Sequence, residues 1–156
     1  MNTSTSTPVF AKPVLPAVLK LTVTKEFFDL IKSGEKPEEY REIKPYWMTR
    51  LLHCNSYSGI KLTSKEWEKA FNDILSACQA SNDFTEELEY HLDNWYLEYK
   101  DYSHVEFKNG YSKNAPTIIT ECNGISIGNP TKQGAQLFKG NVFIISLGAV
   151  VWSNCG

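Results

Sequence analysis

The sequence predicts a single α+β domain: a small β-barrel with flanking helices and an inserted helical hairpin. Three observations carry this. Short stretches of alternating apolar and polar residues stand near both ends of the chain, punctuated by Asn-Gly and other glycine turns, the pattern of a small barrel. Between them, apolar residues recur at helical spacing over two consecutive segments. The length, 156 residues, suits one domain.

Residues 1–16 are rich in Ser, Thr and Pro, with Pro8, Pro13 and Pro16, and are expected to form a flexible N-terminal tail. The domain then runs over 17–156. Leu19, Leu21 and Val23 alternate with Lys20 and Thr22, which predicts a strand with one buried face. Thr24 is placed to cap a short helix whose buried side carries Phe27, Phe28, Leu30 and Ile31, and Gly34 is placed to end it. Pro37 prevents the helix from continuing, so 38–42 is extended or a loop. Pro45 suits the first turn of a second helix, with Trp47, Leu51 and Leu52 inward and Arg50 elsewhere.

The stretch 53–101 is the expected insertion. Thr63-Ser64-Lys65-Glu66 has the capping-box pattern, followed by Trp67, Phe71, Ile74, Leu75 and Cys78 at helical spacing. Asp83 and Glu86 are candidate caps for a further helix with Phe84, Leu88, His91, Leu92, Trp95 and Tyr99 on one face. Pairing of the two helices assigns these aromatics, and His91, to packing.

The remainder predicts β structure. The stretch 102–108 alternates and leads into Asn109-Gly110, a strong hairpin turn signal. A strand over 117–122 leads into Asn123-Gly124, a second turn signal, with Ile125–Gly128 pairing back. Gln133-Gly134 and Lys139-Gly140 mark a loop, Val142–Leu147 a short buried strand, and Gly148 a change of direction.

A formal net charge of −2 argues against nonspecific coating of DNA, although a local basic patch can still hold phosphate. No apolar run is long enough to span a membrane as a helix, and the N-terminus lacks the blocks of a signal peptide. The expectation is a cytoplasmic protein without membrane contact. Cys54, Cys78, Cys122 and Cys155 have the spacing of neither a zinc site nor a disulfide framework, and His53-Cys54 is assigned to packing. No metal or cofactor is expected.

The densest concentration of charge and aromatic surface is Gly34-Glu35-Lys36-Pro37-Glu38-Glu39-Tyr40-Arg41, followed by Ile43-Lys44-Pro45-Tyr46-Trp47. Lys36 and Arg41 suit phosphate, Arg bidentately. Tyr40, Trp47 and Tyr111 suit stacking on a splayed base. Glu39 suits a base amino group or the orientation of Arg41. The alternative is an ion pair, Glu39–Arg41 or Lys36–Glu39, that only holds the loop; Trp47 is then a core residue.

The pattern Gly34-x-Lys36-x-x-Glu39-x-Arg41 resembles the signature of the ASCH domain, of the PUA-like β-barrel superfamily. Three further blocks are similar to phage and bacterial members, in the same order: Lys44-Pro45-Tyr46-Trp47 with Arg50-Leu51; Tyr102-x-x-Val105-x-Phe107-x-Asn109-Gly110-Tyr111; and Phe143-Ile144-Ile145-Ser146-Leu147-Gly148. The likeness covers about 18–52 and 102–151, leaving the insertion outside it. It implies a PUA-like barrel that binds RNA or a modified nucleotide in a cleft lined by the motif, with Lys36, Glu39, Tyr40, Arg41, Trp47 and Tyr111 as ligand-binding residues. Some relatives imply a hydrolase or nuclease, for which Lys36, Glu39 and Arg41 would be catalytic. In the amidohydrolase branch a threonine nucleophile stands where this chain has Glu39, and a carboxylate cannot replace that hydroxyl. A protein-interaction module using the insertion is the third class.

Overall fold

Twelve elements follow one another in a computed structural model that describes residues 11–54, 63–81, 84–94 and 96–155. They are β1 (Val18–Val23), α1 (Lys25–Ser33), β2 (Glu38–Arg41), α2 (Pro45–Leu51), β3 (Leu52–Cys54), α3 (Ser64–Ser81), α4 (Phe84–Asp93), β4 (Leu97–Tyr99), β5 (His104–Asn109), β6 (Thr117–Gly128), a short 3-10 turn (Ala135–Leu137) and β7 (Val142–Ser153). The architecture is mixed α+β. A five-stranded sheet has the order β1-β5-β6-β7-β2, with β1 parallel to β5 and the other neighbours antiparallel. The sheet curls as a half-barrel, and its two edge strands, β1 and β2, approach one another across an open seam. An arginine side chain spans that seam: Arg41 Nη2 donates to the Thr22 carbonyl at 3.3 Å.

Local signals explain the elements around the seam. Leu19, Leu21 and Val23 are buried on one face of β1. Thr24 caps α1 by accepting from the Phe27 N–H, and Gly34 closes it in the left-handed region at φ 84°. That reversal lets Pro37 lead straight into β2. Pro45 opens α2, which buries Met48 and Leu51, while Leu52 has already entered β3.

The stretch 53–101 leaves and returns through the antiparallel pair β3–β4 and carries α3 and α4. The capping box forms reciprocally: Thr63 N donates to Glu66 Oε2 at 2.9 Å and Glu66 N to Thr63 Oγ1 at 3.3 Å. Trp67 stacks on Phe71 with centroids 4.5 Å apart, and Phe71, Leu88 and Leu97 join the same core as the sheet. The helical face expected to continue to Tyr99 stops earlier. α4 ends at Asp93, the Asn94 side chain bonds back to the Tyr90 carbonyl, and Tyr99 instead pairs with Leu52 in the β3–β4 ladder. The side chains of Leu75, Cys78 and Phe84, together with Asp83, Trp95 and residues 1–10 of the tail, lie outside the described residues.

Three expectations about turns are corrected. Asn109 does not begin a two-residue hairpin; it is still paired, its N–H donating to Pro116 O, so the β5–β6 connection is the longer loop 110–116. Asn123-Gly124 does not reverse the chain either. β6 passes through it, with register shifts on both sides of Cys122, and Gly124 at φ 135° takes up an irregularity. Nor does Gly148 change the direction of β7, which runs on to Ser153. A Cβ on Gly148 would stand 2.9 Å from Glu121 Cβ, so glycine there permits close approach across the bulged ladder. At Gly124 and Gly148 the long β6–β7 pairing outweighs the local turn preference.

Candidate functional site

The motif charges cap the exposed edge of β2. Leu147 N donates to Pro37 O, so by antiparallel alternation Glu38 and Tyr40 present their backbone groups to the seam rather than to β7. An edge strand with unpaired backbone groups is costly when covered and hazardous when open. Here three of the four groups, the Glu38 carbonyl and both groups of Tyr40, meet a motif side chain. Lys36 Nζ donates to the Glu38 carbonyl. Glu39 Oε1 accepts from the Tyr40 N–H at 3.0 Å, and Arg41 Nη1 donates to the Tyr40 carbonyl at 3.2 Å. The charged heads also pair, Lys36 Nζ–Glu39 Oε1 at 3.4 Å and Arg41 Nη1–Glu39 Oε1 at 3.5 Å.

This arrangement turns Lys36 inward, where it is only 2% exposed. Its ammonium lies 5.3 Å from the Phe27 ring centroid and 5.1 Å from that of Tyr40. Gly134 closes over the stem: a Cβ there would lie 3.6 Å from Lys36 Cε, and its φ of 95° also favours glycine. Burial pushes the Lys36 pKa below the usual lysine value, partly offset by the Glu39 carboxylate. Glu39 is similarly buried, and its Oε2 has no hydrogen-bond partner among the described residues.

Tyr40 is also turned inward, at 1% exposure. Its hydroxyl donates to Glu38 Oε1 at 2.8 Å and accepts from Lys132 N at 3.0 Å, and its ring meets Phe138 edge-on. Burial first, then the bond to Glu38, raises its pKa. A ring held on both sides in this way cannot serve as a free stacking platform.

The seam itself opens into a cavity of about 440 Å³ between Lys20, Leu21 and Thr22 of β1 and Tyr40 and Arg41 of β2, with Glu42 just beyond that strand. Lys44, Tyr46, Trp47, Tyr111 and Phe138 complete its wall. The structure therefore brings four of the six expected residues, Tyr40, Arg41, Trp47 and Tyr111, to one cleft, and sets Lys36 and Glu39 behind its wall. Arg41 lies with Cζ 4.9 Å from the Trp47 ring centroid. Tyr46 packs edge-on against Trp47 and faces the Arg50 guanidinium at 4.0 Å. Tyr111, from the 110–116 loop, is 93% exposed at the rim.

Lys20, Lys44, Tyr46 and Phe138 also line the cleft but were not assigned to it from the sequence. Lys20 carried a signal, because it stands on the polar face of the first alternating strand. Lys44 and Tyr46 lie inside the charged and aromatic run. Phe138 has none: it comes from a distant loop. The resulting wall holds three cations, Lys20, Arg41 and Lys44, against one carboxylate, Glu42, which pairs with Lys44 at 3.5 Å. It suits a flat, anionic ligand. Among the described residues no cluster of His, Cys, Asp and Glu is arranged to hold a metal ion, and no helix is long and apolar enough to cross a membrane.

No family model matches this chain, and no curated protein or solved structure shows significant similarity to it. The likeness to ASCH domains rests on the four motif blocks alone.

Proposed function

We propose that this protein is an ASCH-type, PUA-like domain that binds RNA or a modified nucleotide in the seam cleft. One observation carries the reading: cationic and aromatic side chains surround a cavity of about 440 Å³, within the range of small-ligand sites. Arg41 and Lys44 supply charge for phosphate, and Tyr46, Trp47 and Tyr111 supply ring faces and edges for a base. Lys20 and Thr22 add backbone groups at the edge of β1, where the Thr22 carbonyl already accepts from Arg41. Ala17 O pairs toward β5, so alternation sends the groups of residues 20 and 22 to the seam.

Binding is favoured over hydrolysis by the placement of Lys36 and Glu39. A catalytic role needs those groups within reach of the reacting atoms, and both are spent on the β2 edge. The protein-interaction reading has less support, because Phe71 and Leu88 of the insertion are used in the core.

Fluorescence anisotropy with short single-stranded RNA tests the proposal. Arg41→Ala should weaken binding about tenfold or more and flatten its salt dependence, since a lost phosphate contact releases fewer counterions. Circular dichroism would establish that the variant is folded. Unchanged affinity in a folded Arg41→Ala protein would sink the proposal.

A further inference from the structure

The seam cleft does not stand alone. On one side it shares Lys20, Leu21 and Thr22 with a cavity of about 180 Å³ that also meets Lys12, Glu106 and Lys108. On the other it shares Glu42 and Phe138 with a cavity of about 460 Å³ that reaches Lys139 and Asn141. The three adjoin in series through these shared residues. From this we infer that the ligand is a single-stranded RNA segment several nucleotides long, threaded through all three cavities, rather than a free nucleotide held in the central one. The inference rests on the proposed RNA-binding reading and extends it.

The physical case is the distribution of charge along the series. A free nucleotide needs one pocket and one cationic cluster. Here each cavity has at least one lysine or arginine, which suits successive phosphates of a strand. The two carboxylates along the path are both engaged: Glu106 with the Lys12 ammonium and Glu42 with Lys44. Lys20, Lys108 and Lys139 have no carboxylate within salt-bridge distance among the described residues, so their charge is available to a ligand. Phe138, an aromatic ring, lines both the central and the larger cavity together with Glu42, and Tyr111 stands at the rim of the central one. Bases of a strand can stack at both places while the backbone follows the cations.

The test is a length series. Fluorescein-labelled random-sequence single-stranded RNAs of about two, four and eight nucleotides are titrated by anisotropy, with the four nucleoside monophosphates as competitors. Affinity should rise about tenfold or more from the shortest to the longest. Lys108→Ala and Lys139→Ala, one at each end of the path, should each weaken the longest RNA about threefold without altering competition by the monophosphates. Lys69→Ala, on the exposed side of α3 away from these cavities, should change neither. Equal affinity at all lengths with effective competition by monophosphates would overturn the threaded strand and leave the central site standing. So would a length dependence that both end-lysine variants leave intact. Absence of binding by any RNA or monophosphate would overturn the proposed function itself, and this inference with it.

Discussion

Lys36 and Glu39 on one hand, and Arg41 and Trp47 on the other, stand close together in the chain, and each pair carries one cation. The structure divides their work, although Arg41 shares in capping β2 through its bond to the Tyr40 carbonyl and its pairing with Glu39. The first pair is buried and spends its charge on the unpaired backbone of β2. The second lies at the seam, where the guanidinium bridges to β1 over an indole face. Depth of burial at the sheet edge, rather than residue type, decides whether a charged group can meet a ligand: Arg41 bonds to the same edge but keeps part of its surface in the cleft. A lysine of this kind cannot be read as a phosphate ligand from its spacing alone.

The largest effect that could break this contrast is on stability. Glu39→Ala leaves the Lys36 ammonium buried without its carboxylate and strips the acceptor from the Tyr40 N–H. The expected loss is about 3–5 kcal/mol in urea unfolding. Lys36→Met, which keeps the stem and removes the charge, should cost far less, and the double variant should regain much of the single loss. Equal costs for Glu39→Ala and for an exposed control such as Glu35→Ala would show that the inward pair is not a structural cap.

The cleft side predicts the reverse pattern. Tyr111 is nearly fully exposed, so Tyr111→Ala should leave the unfolding midpoint unchanged while weakening RNA binding by about 1–3 kcal/mol if a base stacks there. A loss of stability without a loss of binding would erase the distinction between the two regions.

The smallest effect concerns pH. Burial lowers the Lys36 pKa in the folded protein below its ordinary value of 10.5. Between that lowered pKa and 10.5 the unfolded chain binds more protons at this residue than the folded one, so this group makes the fold more stable as pH rises through the window. Below the window, protonation of the buried Lys36 weighs against the fold relative to its neutral form. Chemical denaturation of wild type and Lys36→Met across alkaline pH should show wild type gaining relative to the variant. A constant difference would mean that Lys36 does not titrate differently on folding.

Much of the local structure was legible in the sequence because it depends on near neighbours. The Thr24 cap, the Gly34 stop, Pro45 at the start of α2 and the Thr63–Glu66 box all involve groups within about one helical turn. The alternation of Leu19, Leu21 and Val23 is equally local. The misread glycines have a common cause. Gly124 and Gly148 carry ordinary turn signals, but their conformations are set by the partner strand, which lies beyond any local window. The candidate site was legible in the same uneven way. Arg41, Trp47 and Tyr111 reach the cleft expected for them, whereas Phe138 is brought there only by the path of the loop before β7.

By itself, then, the sequence determined the mixed α+β class, the principal helices, the inward face of β1 and the place in the chain where charge and aromatic surface concentrate. These follow from periodicity and capping, which act over a few residues. Only the tertiary structure decided that β2 is an edge strand, that Lys36 and Glu39 serve its backbone, and that the cleft falls between β1 and β2. Those outcomes depend on which strands pair and where the sheet stops, and pairing is a contest among long-range ladders whose energies no single segment contains.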